Sequence, residues 1–344
     1  MHGGCGTLDK GKSMKCTCVR VEKKQAMQVH KMLLSQNILD RNKHPLRDDK
    51  FVYFPVLDVP EGFEIVEMDC EERNNFIPIS EIARKLDMDE KQLPDKWEKF
   101  GDVLVLKLPH ALYSMREKIC AAYADVLGAK TVLIDVGGIT GELRKPVFEV
   151  AYGGDTVTVH REAGVLFKFD VMKIMFSSGN VFERSRLLSQ VEDDEVIVDM
   201  FAGIGYFTIP LALKTKVARI YACEKNPEAY AFLRENINLN RVGEKVVPLP
   251  GDCREVAPRN VANRVIMGYV KDTHLFLSTA RMCLKNGKGY IHYHDLAKVD
   301  RFPDEMVNRL REHITDFEIT GLRVVKSYAP GVVHGVLDVK VKTG

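Results

Sequence analysis

The stretch IVDMFAGIGYFT, residues 197–208, decides how the rest of the chain is read. An apolar run ends at Asp199. Gly203 and Gly205 follow with one residue between them, and an apolar, helix-like segment then begins. Glycine permits positive φ and close backbone approach, so a glycine turn between a buried strand and a helix marks a ligand crevice at the strand's carboxyl end. A dinucleotide fingerprint needs a third glycine where Thr208 stands. A phosphate loop needs a closing Gly-Lys-Ser/Thr, which this turn lacks. Phosphate is therefore not favoured.

The strands on either side extend the pattern. ARIYACEKN (218–226) ends in Glu224, placed to accept hydrogen bonds from both ribose hydroxyls of an adenosine. VVPLPGDC (246–253) delivers Asp252 and Cys253 to the place beside an adenine amino group. RVIMGYV (264–270) and GYIHYHDL (289–296) supply further strands, with helices between them. Alternation of strand and helix predicts a doubly wound α/β sheet. Asn226 and Pro227 read as N-cap and first helical residue of the helix after Glu224. The same spacing of acids also fits an NAD domain.

The composition sets outer limits. The chain has 344 residues, net charge +2 and eight cysteines. That length allows two or three domains. The near-neutral balance does not announce a nucleic-acid binder, although a basic face can hide in balanced totals. No apolar run approaches the ~20 residues needed to cross a bilayer. No C-x-x-C pair occurs, and Cys16 and Cys18 have the spacing of neither a zinc knuckle nor a redox motif. Reduced thiols and a cytoplasmic location are expected. Residues 1–13 read as a disordered leader, with Met14 as an alternative start and DKGKS (9–13) as a chance likeness to a phosphate loop. The expected organisation is a small N-terminal domain at 14–72, a linker at 73–96, an α+β domain at 97–178 and the catalytic sheet domain at 179–344.

Four stretches, KIMFSSGNVFERSR (173–186), VDMFAGIGYFTIPLA (198–212), EKNPEAYAFLRENINLN (224–240) and RVIMGYVKDTHLFL (264–277), together resemble archaeal-type tRNA enzymes that act at purine 37. The order of Asp199, the glycine turn, Glu224 and Asp252 resembles the class I S-adenosylmethionine fold. The resemblance covers most of residues 97–344 and includes two sister families. One methylates guanosine 37. The other is the wybutosine-synthesising aminocarboxypropyl transferases. They move the 3-amino-3-carboxypropyl group of S-adenosylmethionine to carbon 7 of 4-demethylwyosine in tRNA(Phe).

Two places separate the sisters. The methyltransferase family carries an Asn-x-Pro-type motif where this chain has Gly268-Tyr269-Val270, and Pro-Arg where it has Ser178-Gly179. Both departures, with IHYH and SYAPGVVHGVLDVK, resemble the aminocarboxypropyl transferases. A catalytically inactive tRNA-binding protein is the third reading.

The resemblance implies S-adenosylmethionine as group donor and the anticodon loop of tRNA(Phe), position 37, as partner. It places Ser177, Arg184, Asp199, Gly203, Gly205, Glu224, Asp252 and Cys253 around the donor. It makes Glu183 the candidate proton acceptor, against the alternative of a helix-face glutamate paired with an arginine. Gly268 and Tyr269 line the reaction end, where glycine leaves space for a large base. Arg144 and His160 contact tRNA or brace the domain junction. No metal is expected: His292 and His294 share one side of a strand and read as structural. A monomer is expected.

Overall fold

A computed structural model describes residues 13–71, 77–141 and 144–342. Residues 1–12 of the expected leader, with DKGK and Cys5, lie outside the described residues, as do residues 72–76 of the expected linker. The chain divides into two compact units, one ending at Glu81 and the other beginning at Ile82.

The first unit holds β1 (Ser13–Glu22), α1 (Ala26–Ser35), β2 (Leu46–Arg47), β3 (Phe51–Pro55) and β4 (Glu64–Glu71). Its antiparallel sheet runs β2-β3-β1-β4. Alternation along β1 sends Val19 and Val21 into a core with Val29 and Leu33 of α1. Strand β4 lies in a segment whose acidic composition concealed its alternating pattern. It carries Cys70 to the face of β1 that bears Cys16 and Cys18, and Cys16 and Cys70 are joined as a disulfide. The expectation of eight unpaired thiols is thereby corrected for this pair.

The second unit begins within α2 (Pro78–Leu86), whose Ile82, Ala83 and Leu86 are buried. Half of the expected linker is thus structured. Strands β5 (Trp97–Phe100), β6 (Val103–Leu106), β7 (Thr131–Thr140) and β8 (Lys145–Tyr152) form a mixed sheet. Helix α3 (Arg116–Leu127) packs against it and stops at Gly128, which takes φ 62°. Strands β9 (Val157–Glu162) and β10 (Val165–Asp170) form a hairpin, and α4 (Val181–Leu188) follows.

The large sheet comprises β11 (Val196–Asp199), β12 (Arg219–Glu224), β13 (Val246–Pro250), β14 (Arg264–Met267), β15 (Gly289–Lys298), β16 (Phe317–Ala329) and β17 (Val332–Val341). Its order is β13-β12-β11-β14-β15-β17-β16, with the first five strands parallel and β17 antiparallel to both its neighbours. Helices α5 (Thr208–Lys214), α6 (Pro227–Leu239), α7 (Cys253–Val256), α8 (Leu277–Cys283) and α9 (Asp304–Arg311) lie between strands in sequence. Strand order reverses between β11 and β14, which opens a crevice at their carboxyl ends.

Alternate residues feed two cores. Ile197, Ile220 and Ile266 join one layer, while Val198, Val265 and Met267 join the other. The first layer also holds Phe100, Val103, Leu133 and Phe167. The segments expected as separate α+β and catalytic domains therefore share one continuous core.

Helix α6 shows how sequence becomes tertiary structure here. Asn226 caps it by accepting from the Glu228 N–H (3.0 Å), with Pro227 in its first turn. Asn236 and Asn240, one turn apart, each give and take hydrogen bonds with the backbone of β10, at Lys168 and Leu166. The amides of NINLN thereby satisfy the edge of a hairpin that, among the described residues, has no strand partner on that side.

Asp199 is fully buried. Its carboxylate accepts from the Thr208 hydroxyl (2.7 Å) and the Phe201 N–H (3.3 Å). Burial outweighs these bonds and pushes its pKa from 3.8 to about 6. The folded state holds this proton more tightly than the unfolded chain. The associated stability is complete below about pH 3.8 and is lost as pH rises through about 6. Asp199→Asn, which cannot titrate, is therefore expected to gain about 2–3 kcal/mol on the wild type between pH 4 and 7 in urea melts. A constant difference across that range would contradict the assignment.

Candidate active site

The crevice is a cavity of about 460 Å³, within the range of small-molecule sites. Glu224 ends β12 and stands at its wall. One carboxylate oxygen accepts from the Gly203 N–H (2.7 Å) and the other from the Asn226 N–H (2.7 Å). Each oxygen keeps a lone pair for a further donor. Burial raises the carboxyl pKa, and the backbone N–H bonds oppose that shift.

Gly203 (φ 58°) lines the cavity, but Gly205 (φ 102°) does not. A Cβ on Gly205 would stand 2.4 Å from Ile209, so this glycine serves the packing beneath the turn. Asp199 likewise lies outside the cavity and closes the turn from below through Thr208. Both expected cofactor contacts are corrected to turn-forming roles.

At the end of β13, Asp252 and Cys253 line the wall. Asp252 caps α7, and both its oxygens are gripped by Arg254 (2.9 and 2.7 Å). That pairing holds its carboxyl at about 2. Asp252 is thus an ionised carboxylate held in place by Arg254, and its Oδ2, with one Arg254 bond, keeps a lone pair for a further donor. Burial pushes the Cys253 thiol up to about 12, so it is neutral. Phe201, Tyr269 and Phe276 add an aromatic wall: Phe201 stacks on Tyr269 at 5.3 Å and meets the edge of Phe276 at 5.0 Å.

A second neighbourhood is cationic. Arg184, on α4, makes a bidentate pair with Glu162 of β9 (2.7 and 2.6 Å) and donates to the Ser177 carbonyl (3.1 Å). Its fork is spent on holding the Ser177 segment, so it positions the wall and does not reach freely for a ligand. Lys326, on β16, donates to the Ser177 hydroxyl (3.1 Å). Burial, reinforced by the charges of Arg144 and Arg184, lowers the Lys326 pKa. Arg144 lines the same cavity. Its Nε is buried and has no hydrogen-bond partner among the described residues, and neither has the buried Oδ1 of Asn180. Arg144 and Lys326, which make no ion pair among the described residues, lie beside an orphaned acceptor, and the set suits a zwitterionic amino-acid group.

Glu183 lies outside the cavity. It is 2% exposed and receives hydrogen bonds from Arg186 and Arg323. Both arginines also donate to Asp338, which accepts from His292 at 2.6 Å if the ring carries its proton on Nδ1. Glu183 is thus a carboxylate clamped by two guanidinium groups and absent from the cavity lining, as in the alternative of a glutamate paired with arginine. The expected base is corrected to a network anchor. His160 has the surroundings of a structural histidine that braces neighbouring strands. Its Nδ1 accepts from the Gly101 N–H (3.3 Å), its ring packs on Phe100 and Phe176, and burial lowers its pKa.

Gly268 and Tyr269 line the cavity. The space beside Gly268 is already filled, because an added Cβ would stand 2.8 Å from the Phe207 ring. Glycine there admits Phe207, which is a different role from leaving room for the base. The sequence reading assigned no role to Lys326, Asn180, Phe201, Phe276 or His334, all of which line the cavity. The hairpin SYAPGVVHG, residues 327–335, held the signal for one of them, His334, since its strands end beside the crevice.

Family models match along the chain: the TRM5/TYW2 methyltransferase domain over residues 158–322, the TYW2 N-terminal domain over 80–156 and the tRNA methyltransferase 5 N-terminal domain over 18–64. A Pyrococcus horikoshii protein named tRNA(Phe) (4-demethylwyosine(37)-C(7)) aminocarboxypropyltransferase is 45% identical over 255 residues, spanning 73% of this chain and 91% of its own. The Pyrococcus abyssi tRNA (guanine(37)-N(1))-methyltransferase Trm5b is 33% identical and spans 94% of this chain and 98% of its own. The crystal structure of P. horikoshii TYW2 in complex with MeSAdo superposes with a TM-score of 0.70 at 38% identity, covering 77% of this chain and all of the other. With these matches, the chain belongs to the TRM5/TYW2 family.

Proposed function

We infer that this chain transfers the 3-amino-3-carboxypropyl group of S-adenosylmethionine to carbon 7 of 4-demethylwyosine at position 37 of tRNA(Phe), releasing methylthioadenosine. Similarity to the named aminocarboxypropyl transferase, 45% against 33% for the methyltransferase, supports this over methyl transfer. The structural observation that carries it is the contact of Gly268 with Phe207. At Gly268, where the sister family carries its Asn-x-Pro-type motif, a side chain would stand 2.8 Å from the Phe207 ring. The cytoplasm and a monomeric state belong to the same reading.

The residues divide the work by chemistry. Glu224 takes the ribose hydroxyls, because its oxygens are fixed by Gly203 and Asn226 with lone pairs to spare. Phe201 and Phe276 give the adenine an apolar bed. Arg144 and Lys326 take the carboxylate of the amino-acid arm, and the orphaned Oδ1 of Asn180 takes its ammonium. The donor supplies a sulfonium with three carbons open to attack. Selection of one is a matter of orientation, which is what a fixed charge pair at the far end of the arm provides. Carbon 7 forms the new bond to the γ-carbon, the carbon–sulfur bond breaks, and the ring proton leaves to water or another weak base. Position 37 sits in a stacked anticodon loop, so its base must be unstacked to enter.

The test is group tracking. S-adenosylmethionine labelled in its carboxyl group is expected to label tRNA(Phe) bearing 4-demethylwyosine, with methylthioadenosine released. Methyl label entering guanosine-37 tRNA instead would contradict the reading. Glu183→Gln tests the correction made above. It is expected to keep the wild-type pH profile of transfer. A fall of about a hundredfold with loss of the acid limb would restore Glu183 as the proton acceptor.

A further inference from the structure

The first unit contains a cluster that the transfer reaction does not use. Cys16 and Cys18 point to the same face of β1 by strand alternation, and Cys70 stands on the neighbouring β4, where it pairs with Met14. All three are buried, and Cys18 and Cys70 expose nothing. Their sulfur atoms lie within 4.8 Å of one another. Cys18 Sγ is 3.6 Å from Cys16 Sγ and 3.7 Å from Cys70 Sγ. Leu46, Tyr53, Val66 and Met68 close an apolar shell around them.

Buried cysteines often serve only as small apolar fillers, but fillers need not converge. The Cys16–Cys70 disulfide employs two of the three sulfurs and leaves Cys18 in contact with both. A tetrahedral thiolate site employs all three. With metal–sulfur bonds of about 2.3 Å, its sulfurs stand about 3.8 Å apart, which the two separations from Cys18 match. Sequence spacing conceals such a set, because one ligand is on a different strand 52 residues beyond Cys18.

We propose that Cys16, Cys18 and Cys70, in their reduced form, bind one thiophilic divalent metal ion, zinc in the first instance, pinning β1 to β4. No fourth Cys, His, Asp or Glu joins the set among the described residues, and the proposal assigns the fourth position to a water. The disulfide is the metal-free oxidised state. Two electrons and two protons from a phosphine reductant and water split it into two thiols, the phosphine leaving as its oxide. Binding of the ion then displaces the three thiol protons to solvent.

Cobalt(II) is the probe. The full chain is reduced with a phosphine, freed of reductant and titrated. Thiolate-to-cobalt absorption in the near ultraviolet is expected to saturate at one equivalent and to be bleached by zinc. Cys18→Ser is expected to remove about a third of that absorption and to weaken zinc binding by about tenfold or more. Absence of the band in the folded wild type, or a band unchanged by Cys18→Ser, would overturn the proposal. X-ray absorption at the zinc edge of the wild type needs no variant. Three sulfur neighbours at about 2.3 Å are expected, and a shell of nitrogen and oxygen alone would overturn it.

Discussion

The hydrogen bond from the Gly203 N–H to Glu224, 2.7 Å long, fixes the relation on which the rest of the site depends. It ties the turn after β11 to the carboxyl end of β12. The turn is held from below as well, by Asp199 through Thr208, and its two glycines have no room for side chains. A Cβ on Gly203 would meet the Tyr206 ring at 2.5 Å. Tyr206 in turn donates its hydroxyl proton to the Met175 carbonyl (2.6 Å), just ahead of Ser177. One chain of contacts thus runs from the Glu224 carboxylate to the cationic neighbourhood. Packing within the protein sets these two ends of the cavity at a fixed separation.

The cationic neighbourhood has its own foundation. Helix α4 is pinned to β16 and β17 by Glu183, Arg186, Arg323 and Asp338. Asp338 bonds to His292, and Arg264 connects His292 to Glu195. Removing any one partner from such a buried set leaves a charge without its counter-ion, which is more costly than the set is stabilising. The network therefore specifies one placement of α4. Arg184 and the Ser177 segment follow that placement. The result separates engaged charges from available ones: Arg184 and Asp252 are paired with protein partners, while among the described residues Lys326 bonds to a neutral hydroxyl and the Arg144 Nε has no partner.

Much of this was legible in the letters, for physical reasons. Parallel strands buried on both faces read as apolar runs, the glycine turn announces itself, and Asn226-Pro227 marks a helix start. What was illegible depends on partners distant in sequence. Glu183 reads as a base until Arg323, 140 residues on, is seen against it. Asp199 and Gly205 read as ligand contacts because a motif does not say which of its residues face inward. Lys326 and Asn180 gain meaning only beside Arg144, and Gly268 only beside Phe207. Strand β4 was hidden by its acidic exposed face, and Cys70 with it. Shared packing between β5–β10 and the large sheet likewise leaves no mark of its own in composition.

We infer that the protein selects a carbon of the donor by holding the two ends of that molecule apart. A crystal structure of the chain with S-adenosylmethionine, in the absence of tRNA, tests it most directly. The account expects the ribose hydroxyls within hydrogen-bond distance of Glu224 and the carboxylate on Arg144 and Lys326. It also expects the γ-carbon closer than the methyl group to Gly268 and Tyr269. A methyl group directed at Gly268, with the carboxylate away from both cations, would contradict it.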